Sequence, residues 1–441
     1  MIRLLTMGYL IVLLFFISAP VLAQKPVTTY YDASYRQVKE EYFVSEEDKE
    51  SLQGNYTRYF ENGKIAITGT FVDGVRSGTF LEYHERGALL RKINYVNGMR
   101  HGAVEVYDET GKLIQRAFYE NNLLVDSVKS FFDTGITKTE SYFLKGKPDG
   151  IVREYYPTGK PRKEITYKNK KPNGITRTFY ETGNIETEAN FRDGIMNGFF
   201  KTYYPNGQLE IVYSIEEGEK MGNFKSYDTE GHLLLDGNFM NGRLHGDNIG
   251  YFPTGNIRHR FQFKEGGKSG TNLTYYENGV VKIREQVSLN GLDMTLEEYT
   301  EEGKRISEKS FRKLKPQGIW KFYGDDGKTL TIKEQYDHGQ LNGIRTVYFA
   351  TGEKSLEETY QFGLLTGPVK NYYDNGTLLS ECEYRGNRQH GMYTRYHPNG
   401  QVQEQGEYVA TKKHNEWKEF DTEGKLIRTF VFRAGILKEE K

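Results

Sequence analysis

A glycine that returns every 24 residues limits what this chain can fold into. It stands at Gly63, Gly87, Gly111, Gly135, Gly159, Gly183, Gly207, Gly231, Gly255, Gly279, Gly303, Gly327, Gly352, Gly376, Gly400 and Gly424, with one interval of 25 between Gly327 and Gly352. Other columns keep the same register. Four residues before each glycine the residue is always Tyr or Phe, from Tyr59 and Tyr83 to Phe420. Eight residues after it another aromatic is usual, as at Phe71, Tyr95 and Tyr119. Fifteen residues after it a second glycine recurs, as at Gly78, Gly102 and Gly150, with Asp126, Met294 and Asn415 in its place in three copies.

A period of this length signals a repeat architecture. Asn-Gly, Thr-Gly and Glu-Gly before Lys, Gln or Asn mark a tight turn, because glycine tolerates positive φ. A β-branched and aromatic run such as QLEIVYSI follows, then a second glycine-bearing loop such as NGRLHG, then a short run such as FFKTYY. Strand, turn, strand, turn fills the 24 residues and leaves no room for a helix. Turns this short force antiparallel neighbours. The expected fold is all-β: an elongated antiparallel β-meander, a solenoid-like ribbon of about sixteen 24-residue β-hairpin repeats. A lone hairpin is marginal in water, so each unit depends on its neighbours.

Composition agrees with a thin, aromatic-rich sheet. The chain has 48 Gly, 34 Tyr and 26 Phe but 11 Pro, and a mean hydropathy of −0.71. Its 60 basic and 60 acidic residues balance, which gives no support to nucleic-acid binding or to a polybasic membrane anchor. The array is expected over residues 54–441, behind an N-terminal cap at 24–53 whose YYDASYRQVKEEYF has rings enough to cover the first edge strand. Residues 1–23 read as a signal peptide: Arg3, an apolar run from Leu10 to Ile17, then Val21-x-Ala23 before Gln24. The apolar run is short for a membrane anchor, and no later segment is long enough to cross a bilayer. Export to the periplasm, the cell surface or the medium is therefore expected.

Each turn begins with a ring doublet in many copies, and adjacent residues on a strand point to opposite faces. The first ring belongs to the invariant column and is expected to pack inward. The second column varies through His84, Asp108, Asp228 and Thr300. A column that accepts Asp and Thr is expected to face solvent or a partner. Its rings Phe132, Tyr156, Tyr180, Tyr204, Phe252, Tyr276 and Tyr373 form the candidate partner-binding strip, densest from Phe132 to Tyr204. The alternative is that they only support cross-strand pairing.

Units such as YYPNGQLEIVYSIEEGEKMGNFKSY and YYDNGTLLSECEYRGNRQHGMYTRY resemble the MORN-variant repeat over roughly residues 54–433. That resemblance implies an interaction or lipid-associating scaffold without catalytic residues. The family is often labelled an antitoxin component, a label at odds with an exported protein. YDETGKLI (107–114) and YDTEGHLL (227–234) are also similar to the YD repeats of large secreted shell proteins.

No catalytic, cofactor-binding or metal-ligating constellation stands out, and no enzyme is expected. GEKMGN (218–223) matches a phosphate loop by glycine spacing alone, with no helix after it. His101, His245, His390 and His414 share one repeat position, but equivalent positions lie two strands apart, about 9.6 Å, too far for a shared zinc ion. Cys382 is the single cysteine, so no intramolecular disulfide can form; a small residue on a strand is the expected role. The reading is an exported scaffold that binds a protein at the cell envelope, with carbohydrate or cell-wall binding through aromatic rows as the alternative, and lipid association or an antitoxin-like role as a third.

Overall fold

The computed structural model describes residues 24–48 and 50–441, so the leader read at 1–23 lies outside the described residues. Among the described residues the regular elements are 39 strands, with no helix. Two compact units emerge. One runs to Glu186 and includes Asn190–Ile195; the other holds Thr187–Ala189 and Met196–Lys441.

The first unit opens with β1 (Gln24–Tyr30), β2 (Val38–Ser45) and β3 (Leu52–Tyr59). β2 pairs antiparallel with both β1 and β3, so the segment before the repeats extends the sheet. β4 (Ile65–Val72) and β5 (Val75–Tyr83) form the first full hairpin, and antiparallel pairing follows chain order through Lys171–Phe179. The second unit repeats the plan, from the pairing of Ile195–Tyr203 with Leu209–Glu216 to that of Leu426–Arg433 with Ile436–Glu440.

The periodic glycine does what its spacing predicts. All sixteen copies have φ between 68° and 102°. In each turn the glycine N–H returns to the carbonyl three residues back, as Gly159 does to Tyr156 at 2.8 Å. The second loop is a two-residue turn with both centres left-handed, as at Asp73–Gly74 (49°, 76°) and Asn241–Gly242 (51°, 74°). That primed geometry matches the strand twist.

The second glycine column is also left-handed, and its exceptions are informative. Asp126 (φ 59°) and Asn415 (φ 57°) keep the conformation, as Asp and Asn side chains tolerate. Met294 escapes it because the loop before it is longer: Ser288 N–H closes onto Asp293. The extra residue after Gly327 is absorbed the same way. Gly324 N–H reaches Thr329, one residue beyond the usual partner, and Asp326 ties down the Lys328 and Thr329 N–H groups at 2.9 Å.

Neighbouring hairpins are stitched at both edges. At the two-residue turns the glycine N–H donates to the previous hairpin, as Gly98 does to the Arg76 carbonyl and Gly218 to the Met196 carbonyl, each at 2.9 Å. At the opposite edge asparagine amides do the same work. Asn62 donates to Glu85 O at 3.0 Å and Asn206 to Thr229 O at 2.8 Å.

The core is built on volume exchange between facing columns. In the first unit Phe80, 1% exposed, lies over Gly69, where a β-carbon would come within 2.5 Å of the ring. Phe71 and Tyr95 close edge-on around it at 5.4 and 5.2 Å. In the second unit Trp417, also 1% exposed, occupies the space left by Gly406, and Phe224 that left by Gly237. Burying each ring contributes about 1.5–3 kcal/mol.

Part of the same pair of columns in the second unit is ionic. Arg345, 24% exposed, bridges Glu334 at 3.1 Å and Glu358 at 2.7 Å. Lys309, opposite Leu296, reaches diagonally to Glu298 at 2.6 Å. Such pairs are costly to desolvate, and their loss on one side is destabilising because it strands a half-buried charge.

Candidate binding surface

The seven rings named from sequence, Phe132, Tyr156, Tyr180, Tyr204, Phe252, Tyr276 and Tyr373, are all half-buried. Four of the hydroxyls have a common task. Tyr156 donates to Phe179 O (2.7 Å), Tyr204 to Tyr227 O (3.0 Å), Tyr276 to Tyr299 O (2.9 Å) and Tyr373 to Tyr396 O (2.9 Å). Each bond reaches 23 residues ahead, to the invariant ring's own backbone. His397 binds Phe420 O in the same way at 3.0 Å. The column thus fastens one turn to the next, and these hydroxyls are already engaged.

The invariant column departs from its expected inward packing. Its rings are half-buried and their hydroxyls seek carboxylates: Tyr323 donates to Glu308 at 2.8 Å, Tyr396 to Glu381 at 2.9 Å and Tyr59 to Glu41 at 2.7 Å. A tight turn follows each of these residues, and the ring stands three residues after the buried position, as Tyr83 does after Phe80 and Phe420 after Trp417. That odd separation puts it on the other face of the strand.

The apolar surface that is free lies elsewhere, at the tips of the two-residue turns. In the first unit Val72, Val75, Val96, Met99, Leu123 and Leu144 are between 37% and 60% exposed. Val72 pairs with Val75 and Val96 with Met99, so the first two tips close on apolar pairs, whereas Leu123 pairs with Glu120 and Leu144 with Lys147. A β-carbon on Gly98 would sit 3.4 Å from Val75, which places successive tips in contact. Exposed Lys145, Lys147, Lys168, Lys170 and Lys171 continue the row. A contiguous apolar run with a charged end marks an interaction site. The signal was in the sequence, in residues nine and twelve after the periodic glycine.

Other candidate groups have structural partners. Cys382 is buried, and burial with Glu383 nearby pushes its thiol up to about 11, far from a reactive thiolate. Asp228, Glu230 and His232 bring potential ligand atoms within 4.8 Å of one another. Asp228 Oδ1 accepts the N–H groups of Glu230 and His232, so this cluster is a turn held by its own side chain. His101 is exposed, whereas His245, His390 and His414 are half-buried beside their loops.

Eight segments match the MORN repeat variant: 52–73, 76–97, 100–121, 148–169, 172–193, 196–214, 365–385 and 389–410. Over these segments the chain is similar to MORN-variant repeat proteins. Most of these segments begin near the start of one strand, cross the periodic turn and end at or beside a tip, so much of the apolar row falls at their ends. No curated relative matches the chain. Similar solved structures include the TcdB2-TccC3 crystal structure, at 12% identity over 93% of this chain and 23% of that one, with a TM-score of 0.17. Another is the Photorhabdus luminescens Tc holotoxin pore, at 13% identity over 94% of this chain and 23% of that one, with a TM-score of 0.15. The chain spans about a quarter of the length of those chains, and scores this low carry no argument.

Proposed function

We propose that the chain is an exported, non-enzymatic repeat scaffold whose hairpin-tip edge docks a protein partner at the cell envelope. The observation that supports this reading is the row Val72, Val75, Val96, Met99, Leu123 and Leu144, apolar and solvent-facing in successive repeats. Backbone bonds between hairpins hold the tips, so little conformational freedom is lost on docking. The lysines that continue the row favour a partner whose apolar patch is edged by carboxylates. Export is read from the apolar leader before Gln24.

The test is affinity capture from envelope extract of the source cells, with the wild-type chain beside a V96E/L123E/L144E variant. These side chains are exposed, so the variant should keep the wild-type circular dichroism spectrum. The expected result is a discrete protein retained by wild type and lost with the variant. Equal retention would contradict docking at the tips. Finding the chain in the cytosol on fractionation would contradict the localisation.

A further inference from the structure

The first unit also holds an open groove of about 580 Å³ where β2 meets β3 and β4. Tyr42 and Tyr56 stand opposite each other across the β2–β3 pair, their rings 6.4 Å apart and tilted by 33°. Phe71 meets Tyr56 edge-on at 5.4 Å and extends the ring-lined floor. One repeat further on, the place of Tyr56 is taken by Phe80, which is buried with Arg76 stacked over it at 4.9 Å. The column that is sealed there is half-open at Tyr56.

Arg58 lines this groove and is exposed. Its directly opposite residue is Glu40, the pairing that normally neutralises a strand arginine. Glu40 is turned to other partners: Oε1 accepts the Tyr56 hydroxyl at 2.9 Å and Oε2 the Thr29 hydroxyl at 3.4 Å. Among the described residues the Arg58 side chain makes no hydrogen bond or ion pair. Arg76, also in the lining, donates to the Tyr95 hydroxyl at 3.0 Å. The groove therefore combines aromatic faces with an uncommitted planar guanidinium.

From this geometry we infer that the groove binds an acidic saccharide, a glycan bearing uronic-acid residues. The apolar face of a pyranose ring suits the Tyr56–Phe71 floor, and its carboxylate suits the two parallel N–H donors of Arg58. Glu50, also in the lining, supplies a carboxylate that can accept sugar hydroxyls. The volume falls within the range of about 300–1,000 Å³ usual for small-ligand sites. An acidic peptide would engage Arg58 but would leave the ring faces unused.

The test is calorimetric titration of the full chain with tri-galacturonate, maltotriose and triglutamate, repeated on Arg58→Gln. Arg58 is exposed and unpaired, so its loss should leave the fold intact; thermal melting checks this. The expected result is binding of tri-galacturonate, weakened about tenfold or more in R58Q, with maltotriose and triglutamate much weaker. Absence of tri-galacturonate binding, an unchanged affinity in R58Q, or equal binding of triglutamate would each overturn the assignment. The tip-row lesions V96E/L123E/L144E leave this groove untouched, so the two surfaces can fail separately.

Discussion

At the scale of residues, the fold rests on pairs that trade volume across facing strands. Trp417→Ala should cost about 3–5 kcal/mol, as large-to-small core changes do. Gly406→Ala removes nothing, yet it drives a methyl into the Trp417 ring and should cost about 1–3 kcal/mol. Urea unfolding of both variants checks this; Trp320, in the same unit, reports for Trp417→Ala. Loss of one turn fastener is milder: Tyr276→Phe should cost about 0.5–1.5 kcal/mol. These core pairs were hidden in the sequence for a physical reason. The column six after the periodic glycine holds Gly69, Ile93, Lys309 and Gly406, so no single residue type marks it. At Gly69 and Gly406 the small residue makes sense only beside the large ring that faces it, which no column shows by itself.

Among elements, the turns were legible and the faces were not. Positive φ restricts the residue type so strongly that glycine marks all sixteen periodic turns, although some hairpin tips, such as Asn121–Asn122 and Ala410–Thr411, manage without it. The same restriction explains Asp126 and Asn415. Asn415→Gly should be neutral or slightly stabilising, whereas Asn415→Val should cost about 1–2 kcal/mol, read from chemical unfolding. The variable ring column was less legible, because Tyr156 and Tyr276 look the same whether a hydroxyl meets a partner or a carbonyl 23 residues on.

The carboxylate–tyrosine rows set a pH window. Burial pushes the Glu308 carboxyl upward, but the Lys321 ammonium and the Tyr323 hydroxyl hold it below its ordinary 4.5. Glu357 is also held below 4.5, burial being outweighed by Lys354 and Tyr372. Carboxylates depressed in the folded state stabilise it above the unfolded value and lose that contribution as pH falls through the folded one. Burial and the Glu334 carboxylate raise Tyr336 from 10.0 to about 12, and burial with Glu40 does the same for Tyr56. A raised phenol stabilises fully below its unfolded value and ceases to as pH rises through the folded one. Burial with Arg258 and Lys268 nearby holds the His259 imidazole below its ordinary 6.5, and Cys382 is raised from 9.0. The unfolding midpoint should therefore be flat between about pH 7 and 9. It should fall on the acid side as His259 and then the carboxylates take up protons, and on the alkaline side as Cys382 and then the phenols lose theirs. A midpoint that rises on acidification below 4.5 would contradict these pairings.

Across the whole molecule, a neutral, repetitive chain has been given one uneven feature. Each unit has the same strand order and the same edge bonds, yet the tips differ from repeat to repeat. From Val72 to Leu144 each tip carries at least one exposed apolar residue, and from Lys145 to Lys171 the tips carry exposed lysines. The division into two units near Glu186 left no mark in the 24-residue period. Neither did the groove at Arg58, since it arises where non-repeating β2 meets the first repeat.

The most direct measurement is photo-crosslinking in the source cells from a reactive residue placed at Leu123, beside a control at Ile344, which is equally exposed at 52% but belongs to the second unit and not to the tip row. The expected outcome is one discrete protein adduct from Leu123 and none from Ile344. No adduct from Leu123, or the same adducts from both positions, would contradict a partner-docking edge.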